Sequence, residues 1–143
     1  MTTLAYLDTN ALVKLYLPEA GGEEVVKLLD VVDGVVTSTL SYPESRSVFA
    51  RALDRGLLGE EKYTEVLLAF EQDWPLAVRI EMTETIYRRA GDLMKPHPRL
   101  RTMDAVHLAS ALEAHRKYKL RFLTFDKVLR EAAVALLGKK TVE

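Results

Sequence analysis

Short apolar runs alternate with helix-patterned segments along the whole chain, and this alternation limits the possible folds more than any other feature. Leu4-Ala5-Tyr6-Leu7 reads as a buried strand. A short helix over Ala11–Tyr16 is stopped by Pro18, and Gly21-Gly22 breaks the chain before a helix from Glu23 to Val32. Val35-Val36-Thr37-Ser38 is a β-branched second strand. The pattern then predicts a helix from Ser41 to Arg55 capped by Gly56, and a second helix from Glu60 to Asp73. Leu76–Ile80 reads as a third strand. Thr83 caps a helix reaching Lys95, and the prolines of Pro96-His97-Pro98-Arg99 enforce a loop. Thr102 opens a helix to Tyr118, and Phe122–Phe125 is the fourth strand. Asp126 caps a last helix ending near Gly138, with Thr141-Val142 as a short final strand. Strands that alternate with helices are most economically joined as parallel strands with crossover helices, which cover both faces of a sheet.

At 143 residues, 48% hydrophobic and 29% charged, the chain is expected to form a single domain over 1–143 with a real core. It contains no cysteine, which excludes disulfides, thiolate zinc sites and a cysteine nucleophile, and fits a reducing cytoplasm. No apolar run is long enough for a membrane span, and the first residues do not read as a signal peptide. Net charge is −1, but it is unevenly spread. Residues 1–114 carry 12 basic and 18 acidic side chains, net −6; residues 115–143 carry 8 and 3, net +5. A basic end beside an acidic cleft suits a phosphate-bearing ligand, although a solvated basic helix explains the same numbers.

Four acids fall where such a fold would bring them together. Asp8 directly follows the first strand, Glu44 lies in the first turn after the second, and Asp126 follows the fourth. Asp104 sits in the first turn of the helix opened by Thr102. In an open parallel sheet, ligands bind in the crevice outside the carboxyl ends of the strands. Two like charges about 4 Å apart repel by roughly 4 kcal/mol at an effective dielectric of 20. Clustered carboxylates therefore need protons or a cation, and an all-oxygen donor set favours Mg²⁺ or Mn²⁺. Such cations suit phosphodiester cleavage. Each acid alone also reads as a helix cap: Asp8 and Asp126 as N-caps, Asp104 as a first-turn acid, and Ser41-x-x-Glu44 as a capping box. Asn10 and Thr124 are supporting candidates, one beside Asp8 and one two residues before Asp126. His107 shares a helical face with Asp104, but within Ala105–Ala109 it reads first as a packed core histidine. Arg46, Arg99 and Arg101 are candidate phosphate contacts. Tyr63-x-x-Val66-Leu67-x-x-Phe70 reads either as core or as a docking stripe.

Four segments, in order, carry a resemblance: Tyr6-Leu7-Asp8-Thr9-Asn10-Ala11-Leu12, Ser41-Tyr42-Pro43-Glu44, Arg101 to Ala111 around Asp104-Ala105-Val106-His107, and Phe122-Leu123-Thr124-Phe125-Asp126. On these the chain resembles the PIN-domain family, and within it the VapC-type toxins of toxin–antitoxin pairs. The resemblance implies a three-layer α/β/α fold with a central parallel sheet of four to five strands. It implies Mg²⁺ or Mn²⁺ bound by Asp8, Glu44, Asp104 and Asp126, with Asn10 and Thr124 in support, and cleavage of RNA. It further implies a homodimer silenced by a VapB-type antitoxin. Two alternatives stand beside this reading. One is a PIN-fold binding module without catalysis. The other is an aspartate-nucleophile phosphatase, which wants a second acid where Asn10 stands.

Overall fold

The computed structural model describes residues 2–143. Four strands form one all-parallel sheet: β1 (Thr3–Leu7), β2 (Gly34–Ser38), β3 (Val78–Ile80) and β4 (Lys119–Leu123), in the order β3-β2-β1-β4. Between them run helices α1 (Thr9–Val13), α2 (Gly22–Leu29), α3 (Ser41–Asp54), α4 (Glu60–Asp73), α5 (Glu84–Leu93) and α6 (Thr102–His115), and α7 (Lys127–Leu137) follows β4. The expected α/β/α architecture is present.

Strand geometry explains the layering. Successive side chains on a strand point to opposite faces, and β1 is apolar on both. Leu4 and Tyr6 enter one core cluster with Ile86, Ala90, Leu108 and Leu129, from α5, α6 and α7. Ala5 and Leu7 enter the other with Val13, Val25, Phe49 and Phe70, from α1 to α4. The chain moves outward from β1 to β2 to β3, then returns past β1 to β4. Crossovers of one hand that reverse direction must change face, so α1–α4 cover one side and α5–α6 the other. The reversal makes the gap between β1 and β4 the switch point of the sheet.

α6 lies deepest. Every residue from Ala105 to Ala111 is buried, so this helix is covered on all sides rather than along one stripe. The stripe on α4 is core as well: Val66 and Phe70 are buried, and Tyr63 and Leu67 pack against the same cluster.

Several boundaries differ from the sequence expectation. Strand β4 starts at Lys119 and ends at Leu123, three and two residues earlier than expected, while α6 stops at His115. The reason is pairing: Thr3 is in register with Lys119 and Leu7 with Leu123, so β4 matches the full length of β1. Strand β3 is shorter than expected because Trp74–Leu76 forms a 3₁₀ turn around Pro75, which has no N–H to give a ladder. Val142 forms one parallel bridge to Phe122 rather than a full strand.

Candidate active site

The β1–β4 register leads directly to the site. With Leu7 beside Leu123, the next residues along, Asp8 and Thr124, stand side by side at the carboxyl edge. The Thr124 hydroxyl, fully buried, donates to Asp8 Oδ2 at 2.6 Å and accepts from the backbone N–H of Asp126 at 3.1 Å. One side chain thus joins the carboxylate of Asp8 to the backbone of Asp126 across the switch point.

Each aspartate also caps a helix. Asp8 is the N-cap of α1 and accepts from Ala11 N through Oδ1 at 2.9 Å. Asp126 is the N-cap of α7 and accepts from Leu129 N through Oδ1 at 2.8 Å. Asp104 accepts from Arg101 N through Oδ2 at 3.1 Å. The caps do not exhaust the carboxylates. Oδ2 of Asp126 and Oδ1 of Asp104 accept no hydrogen bond among the described residues. A cap fixes one oxygen and the side-chain rotamer, and so aims the second oxygen.

Glu44 behaves differently from its sequence pattern. Leu40, not Ser41, is the N-cap of α3, and it makes no side-chain cap bond. Ser41 is buried and its hydroxyl meets Thr37 at 2.7 Å. The Glu44 carboxylate is therefore free of its own helix end. Its Oε1 accepts from the Thr9 hydroxyl at 2.5 Å and faces His107 Nε2 at 3.4 Å. Burial alone would raise the Glu44 carboxyl, but hydrogen bonds from His107 and Thr9, with attraction to His107, bring it below the ordinary carboxylate value.

Asp104 moves the other way. Its carboxyl is raised, first by burial and then by the nearby negative charges of Asp126 and Asp8, against the lowering effect of the Arg101 N–H. This mutual repulsion relates Asp104 to the two aspartates at the switch point. Among the described residues, however, no three histidine, aspartate or glutamate side chains stand close enough to form a closed metal cage. The donor chemistry fits a hard cation, because all four acids offer oxygen and the charge is not neutralised by any lysine or arginine bridged to them. Asn10 is exposed on α1 and makes no hydrogen bond to the described residues.

Sequence reasoning missed two contributors and read a third first as core. Thr9 looked like an ordinary helix-start residue, yet it holds Glu44. Tyr6 looked like strand filler, yet its hydroxyl meets His107 Nδ1 at 2.8 Å. His107 was expected to be core; it is 3% exposed and also touches Glu44. A polar atom on an otherwise apolar inward position was the available signal for Tyr6 and His107. Of the three candidate arginines, Arg46 is engaged by Tyr42 at 2.8 Å and Glu71 at 3.3 Å on the surface, and Arg101 contributes its backbone to Asp104.

The PIN-domain family model matches residues 5–135, from β1 into α7, and so spans every element above. The chain belongs to the PIN-domain family. Among curated proteins, this PIN domain is 38% identical over 109 residues to ribonuclease VapC49 of Mycobacterium tuberculosis (strain H37Rv), covering 76% of this chain and 75% of the relative. It is 35% identical over 136 residues to ribonuclease VapC35 of the same organism, covering 93% and 92%. These relatives place it with the VapC-type PIN proteins. Among solved structures, it overlays on a chain of a toxin–antitoxin complex from Klebsiella pneumoniae with a TM-score of 0.60 at 22% identity, covering 99% of this chain and 96% of that one. At that identity the overlay speaks for the fold. No helix is long and apolar enough to cross a membrane among the described residues.

Proposed function

We propose that this chain is a Mg²⁺- or Mn²⁺-dependent endoribonuclease of the VapC type, and that Asp8, Glu44, Asp104 and Asp126 hold the cation. The observation that carries the reading is the Thr124 bridge, which ties the Asp8 carboxylate to the backbone of Asp126 at the switch point, while Asp104 is raised by burial first and then by the charges of Asp126 and Asp8. The relatives named as ribonucleases support the substrate class. A bound cation would supply Lewis acidity toward a phosphodiester and activate water for in-line attack. The protein's part is positional. The Ala11 N–H and Thr124 hydroxyl set the two oxygens of Asp8, Leu129 N–H sets Asp126, and Thr9 sets Glu44. Asn10, two residues after Asp8 on α1, is exposed and available to a substrate phosphate.

The phosphatase alternative loses support here. That chemistry wants a second acid two residues after Asp8, and Asn10 stands there, exposed on α1. The reading treats residues 1–143 as one unit in the cytoplasm. It includes a VapB-type antitoxin and a homodimer, the antitoxin supported by the relatives named VapC.

The test is cleavage of a structured RNA pool by purified protein in Mn²⁺ or Mg²⁺, beside an EDTA control and Asp8→Asn. Loss of cleavage with EDTA and at least about a 10²-fold drop in Asp8→Asn are expected, since Lewis-acid stabilisation is worth several kcal/mol. Undiminished cleavage by Asp8→Asn would remove the assignment. A folded chain that binds no Mn²⁺ would leave a PIN fold used for binding alone.

A further inference from the structure

Proton bookkeeping around Glu44 assigns a role to two residues outside the acid set. The Thr37 hydroxyl donates to Leu7 O at 2.7 Å, because a carbonyl can only accept. Ser41, at 2.7 Å from Thr37, must then donate to it. The Thr9 hydroxyl has one hydrogen, and its 2.5 Å contact with Glu44 Oε1 uses it. His107 Nε2 lies 3.3 Å from Thr9 Oγ1 and 3.4 Å from Glu44 Oε1. Both atoms have only lone pairs left to present. A bare Nε2 would face two acceptors inside a buried pocket, which is repulsive and leaves a polar atom unsatisfied.

From this geometry we infer that His107 carries its proton on Nε2, locked there by the Tyr6 hydroxyl donating to Nδ1, and that the pair positions Glu44 for cation binding. The functional half of the inference rests on the nuclease reading above. Tyr6 is well suited to the task. It is fully buried, its ring is stacked on Phe122 at 5.4 Å with 9° between planes, and it sits edge-on to the His107 ring at 5.9 Å. Its hydroxyl lies 2.8 Å from Nδ1, within reach to place its one hydrogen there. The sequence of contacts runs from β1 (Tyr6) to α6 (His107) to α3 (Glu44), with Thr9 of α1 tying the last two. Glu44 comes from the second crossover, outside the β1–β4 pair. It therefore needs a separate contact to hold its carboxylate toward that edge. Neither Tyr6 nor His107 touches a reacting atom in this arrangement; they are positioning residues.

The tautomer is read directly by nitrogen–proton correlation NMR on the metal-free protein at about pH 8, where an ordinary imidazole is neutral. Nε2–H in the folded wild type, shifting toward a tautomer mixture in Tyr6→Phe, is the expected result. An Nδ1–H tautomer in the wild type, or no change in Tyr6→Phe, would overturn the lock. Mn²⁺ titration calorimetry then tests the positioning. His107→Gln keeps an N–H near the Nε2 position, whereas His107→Asn keeps one near Nδ1. His107→Asn should weaken Mn²⁺ binding by about 10–100-fold, as losses of outer contacts to metal ligands typically do, with His107→Gln recovering most of it. Equal losses in two variants that fold normally would reduce His107 to core packing and overturn the proposal. A wild type that binds no Mn²⁺ would instead defeat the nuclease reading, and the proposal's functional half with it, while the NMR result would still decide the tautomer.

Discussion

Thr124 shows how much one hydroxyl can organise. It donates to Asp8 and accepts from Asp126 N–H with no exposure to solvent, so no water replaces it when it is removed. Thr124→Val keeps the shape but strands a buried carboxylate oxygen and a backbone N–H. Leaving a buried polar group unsatisfied costs about 1–3 kcal/mol. A lower urea denaturation midpoint at unchanged slope, by that free energy divided by the slope, is expected, with Thr124→Ser close to wild type. An unshifted midpoint in Thr124→Val would mean the bridge contributes nothing. The sequence made Thr124 suspect through its position two residues before Asp126 and through the family resemblance. It could not show the bridge, because that depends on the β1–β4 register. Glu44 is the complementary case: Ser41-x-x-Glu44 carries the local signature of a capping box, but burial of Ser41 under Thr37 overrides the local pattern.

The loop between α1 and α2 depends on a conformation that only glycine adopts readily. Gly21 has φ +97°, and a β-carbon there would lie 2.7 Å from the Phe125 ring, close to the Lys14 side chain as well. Phe125 immediately precedes Asp126, and Lys14 Nζ lies 4.9 Å from its ring centroid. Gly21→Ala should therefore cost at least about 1–2 kcal/mol from the backbone conformation, and it should also move the residue next to a candidate ligand. Thermal unfolding checks the first effect; Mn²⁺ affinity below that of wild type checks the second. Unchanged unfolding would show that the loop relaxes freely. Helices were the most readable elements. Glu60 to Asp73 is a helix as expected, with Glu60 and Glu61 placed favourably at its start. Strand β4 was less readable. Lys119-Leu120-Arg121-Phe122 alternates polar and apolar in strand fashion, but it follows a helical pattern without a Gly or Pro break. Only pairing with β1 decides where helix ends and strand begins.

Charge across the whole molecule divides more subtly than the linear sequence suggests. Three of the eight basic side chains in 115–143 are engaged locally: Arg116 with Glu113, Arg121 with Glu143, and Arg130 with the carbonyl of Thr124. Among the described residues the acids at the switch point have no lysine or arginine bridged to them, so without a cation the fold carries their repulsion. Asp104 registers it as a carboxyl raised by burial and then by Asp126 and Asp8. Because the folded protein holds this proton more tightly than the unfolded chain does, the associated stability is present below the ordinary aspartate value. It is lost as pH rises through the raised value. The metal-free protein should thus lose part of its stability across that window. Saturating Mn²⁺ should reverse the trend, since a cation replaces the proton, binds better as Asp104 ionises, and stabilises by about 2.7 kcal/mol at a hundred times its Kd. Denaturation curves over a pH series, with and without Mn²⁺, would show the two slopes diverging as pH rises. Asp104→Asn should flatten the metal-free slope and remove most of the Mn²⁺-dependent gain. Parallel slopes with and without Mn²⁺ would mean that the acids at the carboxyl edge act only as helix caps.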